Sequence, residues 1–194
     1  TNPKLVVNIV DSFSNQFCTT CSIQTKTTLL TLANFYIQPN RMENEHLTFI
    51  ENLLANFNNK PIIICGDFNA RDPLWKDRIT NRNGHKFAQI FQNQNLYIHN
   101  NNNITCQTPQ GCSIIDLTIT NPHATNLIQH WNITNLVTTS DHATIIFELD
   151  LLNNHFIPYT KNSTWRFSES NANWNDFNKN ININNLNAIL HHNM

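Results

Sequence analysis

Four side chains in three short stretches have the types and spacing to do chemistry together. Asp67 and Asn69 lie two apart in Pro61-Ile62-Ile63-Ile64-Cys65-Gly66-Asp67-Phe68-Asn69-Ala70. On extended backbone such residues point to the same side. A carboxylate and an amide aimed together suit the activation of a water beside an anionic substrate. The plainer alternative is a strand and turn that use Asp and Asn for turn geometry alone. Asp116 sits inside the apolar stretch Ser113-Ile114-Ile115-Asp116-Leu117-Thr118-Ile119. A carboxylate in a mostly buried strand is costly unless it is paired. Histidine is the natural partner, because a carboxylate fixes its tautomer and stabilises the imidazolium. His142 follows Ser140-Asp141, opens the apolar run Ala143 to Leu149, and leads among the nine histidines. The alternative is that Asp116 bonds to backbone or to a threonine.

The elements that must position these groups follow from periodicity. Ile62 to Cys65 is a short apolar run between a proline and a glycine, which predicts a buried strand. Polar groups leaving such a strand at its carboxyl end stand where open α/β folds build active sites. Leu5 to Val10, Phe17 to Thr25 and Thr28 to Ile37 read as three strands with no helix between, an antiparallel start. On the third, Leu30, Leu32, Asn34 and Tyr36 share one face, so Tyr36 emerges at the strand end beside Pro39. Asn40 with Glu43 reads as a capping box, and Ile50, Leu53, Leu54 and Phe57 form a helical stripe. Strand, helix and buried strand then make an α/β unit.

Arg71 to Asn83 reads as a polar loop interrupted by Leu74 and Trp75. Trp75 could wedge against a base or sugar, or plug the loop onto the core. Phe87, Ile90 and Phe91 predict a second amphipathic helix ending near Asn93 to Asn95, followed by a strand at Leu96 to His99. Further strands are expected at Ser113–Thr120, Trp131–Val137 and Ala143–Leu149. In the first of these, Ile115, Leu117 and Ile119 take one face, and Ile114, Asp116, Thr118 and Thr120 the other. Residues 1–150 are expected to form one domain, and 151–194 an Asn-rich linker or weakly ordered segment.

The composition narrows the partners. The 194 residues carry a net charge of −1, and only 13% are charged, while asparagine approaches one residue in five. No global basic field marks a nucleic-acid binder. Any DNA contact needs a local patch, for which Lys60, Arg71, Lys76, Arg78 and Arg82 are candidates; a solvated loop is the alternative. Five cysteines, an odd number, do not form a secreted disulfide framework. Cys18-x-x-Cys21 is half a zinc knuckle with no answering pair, so both are expected to be structural. No signal peptide is visible, and no apolar run approaches the ~18 residues of a membrane span.

Four stretches in order carry a resemblance. They are Asn34-Phe35-Tyr36-Ile37-Gln38-Pro39, then Gly66-Asp67-Phe68-Asn69-Ala70-Arg71-Asp72-Pro73-Leu74-Trp75, then Ser113 to Thr120, then Ser140-Asp141-His142. Together they resemble the endonuclease/exonuclease/phosphatase superfamily, and more narrowly the endonuclease domain of arthropod-type non-LTR retrotransposons. Thr164-Trp165-Arg166-Phe167 and Asn173-Trp174-Asn175-Asp176-Phe177 resemble the linker that leads to reverse transcriptase in such elements. The resemblance implies an α/β, two-sheet sandwich flanked by helices, DNase I-like. It implies a nuclear protein that nicks double-stranded DNA by phosphodiester hydrolysis, with a reverse transcriptase domain in the same polyprotein.

The resemblance also implies roles. Asp67 orients or deprotonates the attacking water, and Asn69 donates to the phosphate or positions that water. Asp141 supplies a metal carboxylate. His142, held by Asp116, donates to the scissile phosphate, and Tyr36 contacts phosphate near the leaving group. Arg71 and Trp75 are the expected substrate contacts. The implied cofactor is Mg²⁺ or Mn²⁺ on oxygen ligands. The family places an Asn and a metal-binding Glu on strands before the tyrosine strand, whereas no Glu precedes Glu43 here. The chain is therefore expected to lack the first strands of the domain and to be an impaired enzyme. Two alternatives stay open: an inactive retroelement remnant, and a phosphatase of the same superfamily.

Overall fold

The computed structural model describes residues 5–25, 28–39, 41, 43–134 and 140–151. The chain divides into two units, Thr1–Tyr159 and Thr160–Met194, and every described residue lies in the first. The expected linker beyond Leu151 falls outside the described residues.

The three expected strands form first: β1 (Val6–Ile9), β2 (Cys18–Gln24) and β3 (Leu29–Tyr36), paired antiparallel in sequence order. The helix α1 (Asn44–Asn56) then crosses to β4 (Ile62–Asp67), which lies parallel to β3. A crossover helix is what joins parallel neighbours. Its cap differs from the one expected. Glu43 is the N-cap, and its backbone N–H donates to His46 Nδ1 at 3.0 Å; Asn40 lies outside the described residues.

After β4 come α2 (Arg82–Asn93) and the two-residue β5 (Tyr97–Ile98). A small hairpin follows, β6 (Cys106–Thr108) with β7 (Gly111–Ser113), and then β8 (Asp116–Thr120). The sheet order is β1-β2-β3-β4-β8-β5, with β8 antiparallel to β4 on one side and to β5 on the other. The last described strands, β9 (Ile128–Ile133) and β10 (Ile145–Leu149), pair only with one another.

Alternation along the strands sends side chains to two cores. Ala33, Phe35, Ile37, Ile62, Ile64, Leu117 and Ile119 pack with Ile50, Leu53 and Leu54 of α1 and Phe87 and Phe91 of α2. On the other face Leu30 and Ile63 meet Ala124 and Ile128, with Trp131, Phe147 and Leu149 of the β9–β10 pair closing over them. That second layer covers one end of the sheet. At the far end Asn34 and Tyr36 stay exposed on the same face. The architecture is the α/β, DNase I-like one expected, with helices on one side of the large sheet and a second sheet on the other. β1 is an edge, and Val6, Val7 and Ile9 are all exposed.

Two expected strands are redrawn. Ser113 to Thr120 is not continuous, because the amides at its centre are taken by side chains from elsewhere. Ile114 N–H donates to Asp77 Oδ2 at 2.8 Å, and Ile115 and Asp116 N–H both donate to Thr105 Oγ1 at 3.0 Å. Ser113 therefore ends the hairpin, and β8 starts at Asp116. The strand expected at Trp131–Val137 begins earlier, at Ile128, and residues 135–137 lie outside the described ones. Among the described residues no helix is long and apolar enough to cross a membrane.

Candidate active site

β4 approaches β3 closely at its carboxyl end. Gly66 has φ +131°, and a Cβ there would fall 2.0 Å from the Phe35 carbonyl oxygen. The next residue, Asp67, lies beside Tyr36 in the β3 register and opposite Asp116 in the β8 register. The chain then turns: Phe68 drops into the core, and Asn69 adopts φ 45°, a left-handed conformation that asparagine tolerates.

That turn brings Asn69 back onto Asp67. Asn69 N–H donates to Asp67 Oδ1 at 2.9 Å, and its Nδ2 donates to Asp67 Oδ2 at 2.8 Å and to the Ile37 carbonyl at 2.9 Å. Both amide hydrogens are thereby used. The turn chemistry and the functional pairing expected for these residues are thus one arrangement. The phosphate-donor role expected of Asn69 does not fit it, because no hydrogen remains to donate. Asn69 fixes Asp67.

Asp116 opens β8 with its side chain on the face opposite the helices. His142 reaches it from the segment before β10, where a bridge to Cys106 pins the backbone. His142 Nδ1 lies 3.0 Å from Asp116 Oδ1 and 2.9 Å from Oδ2, evenly between the two carboxylate oxygens. The imidazole remains partly exposed, which leaves Nε2 as the nitrogen available to a substrate. This pairing is the one expected from the sequence.

Burial pushes the Asp67 carboxyl above its ordinary value; the Asn69 N–H opposes that shift, and the Asp116 charge adds to it. For His142 burial lowers the affinity for a proton, but the Asp116 bond and the charges of Asp116, Asp67 and Asp141 outweigh it, and its pKa is raised. The site therefore favours an imidazolium beside a carboxylate that gives up its proton reluctantly.

The other expected residues fall as follows. Tyr36 is 52% exposed at the end of β3, next to Asp67 in register. Asp141 is exposed and stands apart from the metal-capable group, which is Asp67, Asp116 and His142, with ligand atoms within 4.8 Å of one another. Its charge nevertheless reaches His142 and helps to raise the pKa of that imidazole. Arg71 is committed elsewhere: its Nη2 lies 2.9 Å from Asp77 Oδ1 and also donates to the Cys112 carbonyl at 3.1 Å. Trp75 is 1% exposed, packs on Phe91 and donates Nε1–H to the Ile114 carbonyl at 3.0 Å. It plugs the loop onto the core and presents no face to a base.

Three supporting residues were not singled out in the sequence. Asp77 is buried and holds Arg71 and the Ile114 amide. Thr105, fully buried, accepts from the Asp116 amide, and its own carbonyl accepts from Ala143 N–H at 2.8 Å, beside His142. Asn100 bonds the backbone on either side of Leu117. Polar residues one or two positions from apolar strands were the only signal, and in Asn100 to Asn103 the asparagine run masked it.

Two carboxylates facing each other offer oxygen donors of the kind a hard divalent cation takes, and a protonated His142 adds none. Among the described residues, no glutamate belongs to this group.

A family model described as endonuclease–reverse transcriptase matches residues 30–146, from β3 through the His142 segment into β10. The chain belongs to the endonuclease–reverse transcriptase family. The match spans Tyr36, Asp67, Asn69, Asp116, Asp141 and His142. Among solved structures, the chain is similar to the endonuclease domain of TRAS1, a telomere-specific non-LTR retrotransposon. The identity is 22% and the TM-score 0.71, over 77% of this chain and 70% of that one. It is also similar to an endonuclease/exonuclease/phosphatase family protein from Leptotrichia buccalis, at 13% identity and TM-score 0.51, covering 76% of this chain and 61% of that one. A third likeness is to the AP endonuclease LMAP from Leishmania major, at 11% identity and TM-score 0.55, covering 69% and 54%. At these identities the likeness is one of fold. No curated protein matches the chain in sequence.

Proposed function

We propose that this chain is a metal-dependent endonuclease domain that nicks double-stranded DNA by phosphodiester hydrolysis, joined in its polyprotein to a reverse transcriptase. The observation that carries the reading is the Asp116–His142 pair set directly beside Asp67, whose two oxygens Asn69 holds in place. Family membership supports the coupling to a reverse transcriptase and, with it, a nuclear site of action on chromosomal DNA.

A phosphodiester is a hard anion whose cleavage builds negative charge on phosphate oxygens. Asp67 is the base that orients the attacking water and accepts its proton. His142, kept protonated by Asp116, donates from Nε2 to a phosphate oxygen. Tyr36 lies at the rim and contacts phosphate through its hydroxyl. The Asp67 carboxylate would hold Mg²⁺ or Mn²⁺, which when bound supplies neutralisation of the phosphate charge, while both oxygens of Asp116 stay on His142. With two carboxylates in the group, Mn²⁺ at millimolar concentration is the first ion to try.

The test is purified chain on supercoiled plasmid with each ion. Slow formation of nicked circles, as from an impaired enzyme, is expected, and it should cease with chelator. Undiminished nicking in excess EDTA sinks the metal reading. Phosphate release from inositol phosphates without nicking favours a phosphatase, and neither activity leaves an inactive remnant.

A further inference from the structure

The strand that carries Asp116 loses its neighbour just where Asp116 begins. On its outer edge β8 pairs with β5 only through Tyr97↔Thr120 and Ile98↔Ile119, and His99 N–H then donates to the Thr118 carbonyl at 2.9 Å. There the ladder stops. The next two backbone groups along that edge, Thr118 N–H and the Asp116 carbonyl, are met by one side chain. Asn100 Oδ1 accepts from Thr118 N–H at 2.9 Å, and Asn100 Nδ2 donates to the Asp116 carbonyl at 2.8 Å. A primary amide has the donor and acceptor arrangement of a peptide group, so Asn100 continues the ladder where the backbone turns away. At the other end of the same loop, Thr105 Oγ1 accepts from the Asp116 N–H at 3.0 Å. Both peptide groups flanking the Asp116 side chain are thus held by side chains from one short loop.

We propose that Asn100 is a positioning residue for the Asp116–His142 pair. It acts through the Asp116 carbonyl, fixing the backbone from which the carboxylate meets His142 Nδ1. The argument for more than a structural bond is one of place. Asn121 makes the same kind of brace at the opposite end of β8: its Oδ1 accepts from Ile62 N–H at 3.2 Å and its Nδ2 donates to the Lys60 carbonyl at 2.7 Å. Both asparagines are buried, 8% and 4% exposed, yet only Asn100 touches the residue that carries the carboxylate. The role in turnover rests on the nuclease reading, whereas the effect on the pair does not.

The test compares Asn100→Ala, Asn100→Asp and Asn121→Ala with the unaltered chain. Two readouts are used: the downfield resonance of the His142 Nδ1 proton in histidine-labelled protein at one pH, and kcat and KM for plasmid nicking. Both alanine variants should melt earlier. Asn100→Ala should lose or broaden the downfield resonance and lower kcat by about 10- to 100-fold with KM unchanged, the scale set by small misplacements of a catalytic group. Asn121→Ala should keep both. Asn100→Asp, read with its carboxyl ionised, keeps the acceptor for Thr118 N–H and has no hydrogen for the Asp116 carbonyl, so it should lose the resonance. If it keeps the resonance, the proposal is overturned. The same holds if Asn100→Ala and Asn121→Ala melt alike and both retain it. A chain that nicks nothing fails the nuclease reading alone, and the resonance still decides the role of Asn100.

Discussion

Asp67 and Asp116 stand opposite each other in register across β4 and β8, two carboxylates at the end of a sheet whose interior strands are apolar. Facing acids repel, and two devices hold them there. Asn69 bonds both oxygens of Asp67, while His142 bonds both oxygens of Asp116. The site is consequently poised around two protons, one that Asp67 must lose and one that His142 must keep.

That poise fixes the pH dependence. Nicking should rise as Asp67 ionises, above its ordinary 3.8, and fall as His142 deprotonates, above its ordinary 6.5, since both groups are raised. The result is a bell in kcat/KM. His142→Gln should remove the alkaline limb. Stability runs with the His142 limb of that bell and against the Asp67 limb, because both folded pKa values are raised. A raised folded pKa contributes stability that is present below the unfolded value and lost as pH rises through the folded one. The melting temperature of the unaltered chain should therefore fall through the His142 transition more steeply than that of His142→Gln. A rate that stays level through the alkaline range would show that the His142 proton is not used.

Asp116 and His142 should behave as one unit. If Asp116 serves by holding His142 Nδ1, each alanine variant should lower nicking by roughly 10²–10⁴-fold, the span of a lost acid or base. The double variant should be little worse than His142→Ala. DNA affinity, spread over many backbone contacts, should change much less. Multiplicative losses would give Asp116 a separate task.

Trp75 should prove to be a core residue. Its ring packs on Phe91 under the loop, and its Nε1–H satisfies the Ile114 carbonyl next to the break before β8. Trp75→Ala should cost about 3–5 kcal/mol, as for other buried aromatics. Trp75→Phe keeps most of the volume but leaves that carbonyl unpaired, a loss of about 1–3 kcal/mol. Plasmid affinity per folded molecule should be unchanged in both. Weaker binding with an unaltered melting curve would return Trp75 to the DNA.

What could be read in the sequence was what local periodicity and burial cost dictate. Ile62 to Ile64 are buried because a run between Pro61 and Gly66 has nowhere else to go, and the stripe Ile50, Leu53, Leu54 covers that strand. Asp116 could be paired with His142 in advance because a carboxylate among Ile and Leu needs a partner. Illegible were the places where a backbone amide is satisfied by a side chain remote in sequence. Asp77 takes Ile114 N–H across 37 positions, and nothing in Ser113 to Thr120 signals that break. Arg71 looked available for phosphate until Asp77 was found buried beside it.

The most sensitive position outside the site should be Gly84. It lies in the first turn of α2, just after the N-cap Asn81, whose Oδ1 accepts from Gly84 N–H at 2.7 Å and from Arg71 N–H at 3.0 Å. The loop and the helix are thus locked together with no slack. A Cβ on Gly84 would fall 1.8 Å from the Arg71 carbonyl oxygen, which is backbone and cannot swing aside. Displacing Arg71 would disturb its bonds to Asp77 and the Cys112 carbonyl, and Asp77 in turn holds the Ile114 amide two residues before Asp116. Gly84→Ala should therefore cost on the order of 3 kcal/mol or more. That corresponds to a melting temperature lowered by about 6–12 °C at 2–4 °C per kcal/mol. Nicking should drop as well, because the displacement runs toward Asp116. Gly111→Ala is the control: its φ of +146° strains any side chain, but a Cβ there meets nothing within 4 Å. It should cost only the backbone strain, about 1–3 kcal/mol. Equal melting temperatures for the two variants would mean that the α2 turn yields easily, and that the loop is not clamped as described.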